Sequence, residues 1–326
     1  MLGIMKHSKN GNASCDISIL VAVYNHEKYL ETAIESVMAQ IIDCNFEVII
    51  IDDYSTDSSR DMLKGREPSL PSNYRIIYRE RNYGIVDNYY DAVNRMNGRY
   101  FAILEADDYW TYPHKIQKQF EFLEKHQEYL AVSHLHDTID GDGNIEPMHN
   151  AYVIGKTYGF DDFLERKLPG HTATLLCRNY FKYKLFDSKI KLGNFIVLDQ
   201  VNAFLLAVHG KTYHINENWS VYRHVTTGGS SYSALIKKDL STSSYKVFFK
   251  GCCLYVRKHH MDKEIRNKIE HFYIKYLFDH WAANSEDDFV TSTEVIKEIF
   301  YIRDKRFGLQ IIKEIKALKK ARRLNW

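Results

Sequence analysis

Residues 17–53 read ISILVAVYNHEKYLETAIESVMAQIIDCNFEVIIIDD, and their pattern decides the fold. Ile17–Val23 is a continuous apolar run, as expected of a parallel strand buried on both faces. Tyr24-Asn25-His26 breaks it. Leu30, Ala33, Ile34, Val37 and Met38 then recur at helical spacing, the core stripe of an amphipathic helix. Phe46–Ile51 is a second buried strand, ended by the polar cluster Asp52-Asp53-Tyr54-Ser55-Thr56-Asp57. The alternation continues downstream. A short helix is expected from Ser58, a third strand at Tyr74–Tyr78, and a turn at Asn82-Tyr83-Gly84. A helix over Asn88–Met96 stops at Asn97-Gly98, and a fourth strand, Tyr100–Leu104, runs into Glu105-Ala106-Asp107-Asp108. Buried strands alternating with helices predict an α/β fold, a doubly wound and mostly parallel sheet with right-handed crossovers.

Such sheets bind ligands beyond the carboxyl ends of their strands, and there this sequence concentrates its acids. Three carboxylates in four residues, Glu105, Asp107 and Asp108, repel one another unless a cation or proton intervenes. Hard oxygen ligands suit Mg2+ or Mn2+; the alternative is a solvated acidic turn. Neither GxGxxG nor GxxxxGK[ST] occurs, so neither a dinucleotide site nor a P-loop is supported.

The second half is less regular. Thr111 and Pro113 mark a helix start, with Ile116, Phe120 and Leu123 as its stripe. Asp140-Gly141-Asp142-Gly143 is a turn, and Ala173–Cys177 reads as a strand. Asp199 lies between the apolar turn Phe195–Leu198 and an apolar helix pattern through Val208. Trp219–Arg223 resembles a last strand, and Thr226–Tyr232 is a Gly/Ser segment taken as the domain edge. From residue 236 onward the patterns are helical.

Composition sets further bounds. The 326 residues carry 44 Lys+Arg and 42 Asp+Glu, with 45% hydrophobic residues, which fits a globular chain with a sizeable core. The balance hides an asymmetry: residues 1–235 hold 24 basic and 30 acidic side chains, residues 236–326 hold 20 and 12. No apolar run approaches the ~20 residues of a membrane span, and the first residues lack the apolar stretch of a secretory signal. Five cysteines without CxxC spacing fit reduced thiols in a cytosol.

Three stretches, ISILVAVYNHEKYLETAIESVMAQ, FEVIIIDDYSTDSS and NYGIVDNYYDAVNRMNGRYFAILEADDYW, resemble family 2 glycosyltransferases of the GT-A fold. The likeness covers about residues 16–230. Through LEADDYWTYPHKIQKQFEFLEKH it is closer to enzymes that build bacterial surface polysaccharides. The resemblance implies inverting transfer of a sugar from a nucleotide-sugar to a saccharide hydroxyl. Asp53 matches the family's uracil-binding acid, and Val23 and Tyr24 match residues beside the nucleotide. Asp107 and Asp108 match the metal motif, with Asp108 as direct ligand to Mn2+ or Mg2+. Asp199 matches the general base. His224 stands where some relatives place a histidine on the metal or diphosphate. Arg223 is a comparable candidate for the phosphates, since its fork of donors matches their oxygens. His171 begins HTATLL, on a segment that lines the acceptor site in relatives. His134 and His136 either face the acceptor or pack in the core. Asp52 and Asp57 read as turn and cap chemistry. Glu105 departs from the Asp that many relatives carry. Tyr89 falls near the place of a diphosphate-contacting Arg, for which Arg79 or Arg81 are substitutes.

The expected organisation is a flexible segment 1–15, a GT-A domain 16–235 and a basic helical region 236–326. The domain divides into a nucleotide-sugar half 16–110 and an acceptor half 111–235. Between Lys305 and Trp326 there are eight Lys/Arg and one acid. Ile311, Ile315, Leu318, Ala321 and Leu324 fall on one side of a helical wheel. That is the pattern of a helix lying on an anionic membrane, with Trp326 at the headgroups; the alternative is packing on the domain. The expectation is a cytoplasmic enzyme, peripheral on the inner membrane face if the tail binds, with a saccharide or lipid-linked saccharide acceptor. The rivals are a catalytically inactive scaffold of the same fold and a sugar-phosphate nucleotidyltransferase. The latter needs a Gly-rich basic loop after strand one, which Val23–Glu27 is not. A basic tail without a known module is no evidence for nucleic acid.

Overall fold

A computed structural model describes residues 15–146, 156–182, 198–224, 242–283 and 290–324. Of the expected flexible segment 1–15, residues 1–14 lie outside the described residues, as do the turn at 195–197, the Gly/Ser segment 226–232 and Trp326, whereas Cys15 is described and buried. The chain divides into two compact units. The described parts of the first are 15–146, 156–182 and 198–224; those of the second are 242–283 and 290–324.

The first unit is built on one sheet. Strands β1 (Ile17–Val23), β2 (Phe46–Asp52), β3 (Tyr74–Tyr78) and β4 (Tyr100–Glu105) pair in parallel in the order β3-β2-β1-β4. Helices α1 (Leu30–Met38), α2 (Ser59–Arg66) and α3 (Gly84–Val93) connect them. Ile17, Ile19, Val21, Val48, Ile50, Ala102 and Leu104 are buried in one core with Leu30, Ala33, Ile34 and Val37 of α1. Two expectations shift. The third helix begins at Gly84 and not at Asn88, because Tyr83 and Gly84 find a distant acceptor for their N–H groups, described below. Gly98 does more than stop a helix: a Cβ there would lie 2.4 Å from the backbone nitrogen of Ser18.

Beyond β4 the direction reverses and is restored. β9 (Leu176–Arg178) pairs antiparallel with β4, and β6 (Ala131–Ile139) pairs antiparallel with β9. β6 therefore runs parallel to β4. β10 (Thr212–Arg223) runs parallel to β6, and β5 (Tyr109–Trp110) closes the edge. Short strands β7 (Ile145–Glu146) and β8 (Thr157–Tyr158) pair with β6 and β10. Two reversals thus bring the carboxyl ends of β6 and β10 to the same edge as those of β1, β2 and β4. β10 is longer than the expected Trp219–Arg223, and its register against β6 shifts between Ile215 and Ser220. Helix α4 (Lys115–Lys125), the short α5 (Phe160–Leu164) and α6 (Leu198–His209) complete the unit.

The second unit holds α7 (Thr242–Lys258), α8 (Lys263–Ala282), α9 (Ser292–Ile299) and α10 (Lys305–Leu324). Its core includes Phe248, Cys252, Tyr255, Ile269, Tyr273, Ile274, Leu277, Val295, Ile299, Ile311 and Ile315. Here one expectation is corrected. Ile311 and Ile315, read as the lipid-facing side of the tail, are 2% and 1% exposed. Their apolar surface is spent on packing inside the unit, so it is not available to a membrane. No helix of the described residues is long and apolar enough to cross one.

Candidate active site

The loop after β2 carries two acids with different partners. Asp52 is fully buried; its Oδ1 accepts from Ser55 N at 3.1 Å and its Oδ2 pairs with Arg60 Nε at 2.6 Å. Asp57 accepts from Glu27 N and Ser59 N. Both acids hold the loop together. Asp53 reaches across to α3. Its Oδ1 accepts from Tyr83 N at 2.9 Å and its Oδ2 from Gly84 N at 3.0 Å. A carboxylate at a helix start answers free N–H groups and the positive end of the dipole. Burial raises the Asp53 pKa, and those two donors partly offset it. Each oxygen keeps a second lone pair for another donor. Asp53 N in turn donates to Val23 O, which fixes it beside the end of β1. Tyr24 follows there, partly exposed.

The Glu105–Asp108 loop forms the second half of the edge. Asp108 is 1% exposed. Its Oδ1 accepts from Arg223 N at 2.8 Å, while its Oδ2 is buried without a hydrogen-bond partner. His171 Nδ1 lies 3.7 Å from that oxygen. Burial pushes the His171 pKa down to about 3, so the ring is neutral, and its Nδ1 accepts from Ala173 N. The buried Asp108 oxygen and the neutral His171 ring therefore face each other. Glu105 joins them: ligand atoms of Glu105, Asp108 and His171 lie within 4.8 Å of one another. Burial, then Asp107 and Asp199, push the Glu105 pKa up to about 8. Burial and the neighbouring Asp107 and Glu105 carboxylates raise Asp108 as well. An orphaned carboxylate oxygen, a second raised acid and a neutral imidazole are a donor set that fits a divalent cation. Asp107 points elsewhere, with Oδ2 3.8 Å from His26 Nε2.

Asp199 sits in the first turn of α6 and accepts a hydrogen bond from the Thr172 hydroxyl. Burial raises its pKa and that hydrogen bond opposes the rise. Thr172 adjoins His171, and Glu105 feels the Asp199 charge. Asp199 therefore lies next to the acid cluster despite a separation of 91 residues from Asp108.

Two candidates have other partners than the sequence implies. Arg223 does not offer an open fork. Its Nε donates to Asp107 O and its Nη1 to Asp140 O, both at 3.2 Å, and its guanidinium lies 4.2 Å from the Tyr29 ring centre. It clamps the acid loop to the turn at Asp140. His224 Nδ1 lies 3.0 Å from Glu146 Oε2, outside the cluster of Glu105, Asp108 and His171. Arg79 is buried against Asn88 and Asp91, and Tyr89 donates to Asn202. His134 and His136 are buried on β6. The sequence places Glu105 in the carboxylate cluster suited to a cation, but His171 only on the acceptor side. The HTATLL segment carried the signal, but its proximity to Asp108 depends on two strand reversals.

Comparison with known proteins shows the family of the chain. A model of the glycosyl transferase family 2 matches residues 18–185. The chain belongs to that family. An uncharacterized protein of Mycobacterium tuberculosis is 36% identical over 127 residues, 39% of this chain and 37% of the relative's length. The matched stretch thus spans little more than a third of that relative. TuaG of Bacillus subtilis, a glycosyltransferase assigned to teichuronic acid biosynthesis, is 28% identical over 217 residues, 66% of this chain and 81% of TuaG. Among solved structures, S. aureus TarS 1–349 in complex with UDP superposes with a TM-score of 0.59 at 16% identity, over 87% of this chain and 78% of TarS. That likeness shows the shared GT-A fold.

Proposed function

We propose that this family 2 member transfers a sugar from a nucleotide-sugar, UDP-linked, to a saccharide hydroxyl with inversion, in bacterial surface polysaccharide synthesis. The carrying observation is the convergence at one sheet edge of a helix-capped Asp53, an orphaned Asp108 oxygen and the Thr172-bound Asp199. Asp53 would accept the imide N–H of uracil through its remaining lone pairs, beside Val23 and Tyr24. Glu105, Asp108 and His171 would hold the cation, with Asp107 in support; the imidazole tips the choice toward Mn2+ over Mg2+. When bound, such an ion neutralises charge on the diphosphate as it leaves. Asp199 would take the proton of the acceptor hydroxyl as the new C–O bond forms, from the face opposite the departing diphosphate. Arg223 keeps the acid loop in place. UDP and UDP-GlcNAc are bound by TarS in its structures, and TuaG is assigned to teichuronic acid biosynthesis; both support the reading.

A peripheral membrane contact, with a lipid-linked acceptor, remains part of the proposal on different residues. Arg306, Leu309, Lys313, Lys316 and Lys320 form an exposed stripe of α10, opposite Ile311 and Ile315. Phe300 and Tyr301, at the end of α9, are 71% and 68% exposed.

A panel of UDP-, GDP- and dTDP-sugars incubated with Mn2+ tests the activity. Release of UDP from at least one donor, abolished by EDTA, is expected. A folded protein that releases nucleotide from none would be the inactive scaffold.

A further inference from the structure

The base assigned to Asp199 needs a fixed direction, and the structure contains a device that supplies one. Thr172 is 8% exposed and opens a 3-10 turn, Thr172–Thr174. The turn is pinned on several sides. Trp110 Nε1 donates to Ala173 O at 2.9 Å, and Gln119 Nε2 donates to Thr174 O at 2.8 Å. Thr174 returns both its N–H and its hydroxyl to His171 O. Gly170 precedes it at φ +152°, where a Cβ would lie 2.7 Å from Ser133 Cβ and Thr174 Oγ1. Asp199 is held from its own side as well. On the next turn of α6, Asn202 Oδ1 accepts from Tyr89 and Tyr180 hydroxyls at 3.1 and 2.9 Å.

We propose that Thr172 is a positioning residue, whose hydroxyl holds Oδ1 of Asp199 and leaves Oδ2 as the oxygen that meets the acceptor hydroxyl. This rests on the reading of Asp199 as general base. Thr172 suits the task because its β-branched side chain has restricted χ1 freedom. A hydroxyl given to an ionised carboxylate is also a strong hydrogen bond. Among the described residues, Thr172 Oγ1 is the hydrogen-bond partner of the Asp199 carboxylate, and none of them donates to Oδ2. The neighbouring His171 faces Asp108. One dipeptide, His171-Thr172, therefore sets the distance between the cation-binding acids and the base. A shift of that turn would misplace both.

The test measures nucleotide release by the full chain and by Thr172→Val, Thr172→Ser and Thr172→Ala, using the donor the panel selects. Thr172→Val should lower kcat by about 10- to 100-fold, with the donor KM and the UDP affinity within about twofold of the parent. Thr172→Ser restores the hydroxyl and should recover most of the lost turnover. In an Asp199→Asn background, Thr172→Val should cost nothing more, since the group it serves is gone. If the valine variant unfolds, the alanine variant in the same two backgrounds gives the same comparison. Parent-like kcat in Thr172→Val, or a loss that serine does not rescue, overturns the inference. Asp199→Asn separates the two levels. Parent-like turnover there overturns the base assignment and the inference together. An inactive Asp199→Asn beside a normal Thr172→Val overturns the inference alone.

Discussion

Asp53, Asp107 and Asp108 could be read from the sequence because each follows a long apolar run. An acid placed there has few places to go but the carboxyl edge of the sheet. His171 had no such frame. Its relation to Asp108 spans 63 residues and the antiparallel steps through β9, which no local pattern encodes. At Asp53 the account predicts base selectivity. Asp53→Asn removes an acceptor for the uracil imide and sets an amide against the α3 N–H groups. UDP binding should weaken by about 1–3 kcal/mol, and the preference for UDP over CDP should shrink, both read by calorimetry. An unchanged ratio would detach Asp53 from the base. At Asp199 the prediction is chemical: Asp199→Asn should lower turnover by about 10²–10⁴ with UDP affinity nearly intact. Near-normal turnover at saturating substrates would make Asp199 only a helix-terminal acid.

Elements were legible where the chain's own periodicity decided them, as in β1, α1 and β2. They were misjudged where a distant group decided. The start of α3 is set by Asp53, about thirty residues upstream, so the local Asn82-Tyr83-Gly84 pattern reads only as a turn. In β10 the register shifts around Asn218 interrupt the alternation, which hid the strand's first half. Gly98 illustrates how closely β1 and β4 are joined. Gly98→Ala drives a methyl against the Ser18 backbone, which cannot rotate away, and should cost roughly 1–3 kcal/mol of stability by denaturant titration. Parallel β6 and β10 also bury His134 and His214. Burial lowers both pKa values, that of His214 to about 4. The folded state then resists a proton that the unfolded chain accepts below about 6.5, so stability falls as pH drops from about 6.5 toward about 4. Glu105, raised to about 8, works in the opposite direction above its ordinary 4.5. The effect is therefore isolated by difference. Between pH 7.5 and 5, His214→Gln should lose less Tm than the parent, by the equivalent of about 2 kcal/mol. Equal losses would remove His214 from the account.

On the scale of the whole molecule, the charge asymmetry found in the sequence persists as an exposed basic stripe on α10. The residues that flank it were not legible. A helical wheel identifies an apolar side but not what covers it, and here Ile311 and Ile315 cover their own unit. The membrane prediction changes accordingly. Lys313→Glu, Lys316→Glu and Lys320→Glu together should abolish co-sedimentation with anionic vesicles, each lysine contributing about 1 kcal/mol near such a surface. Equal pelleting of parent and triple variant would refute it. The central claim lies in the first unit: the acids that end β2 and β4 form a cation-dependent nucleotide site. Calorimetric titration of UDP into the parent and Asp108→Ala, in Mn2+ and then in EDTA, tests it most directly. The account predicts binding by the parent in Mn2+ that is lost or greatly weakened in EDTA and in the folded variant. Equal UDP affinity in all of these conditions, or no binding by the folded parent, would contradict it.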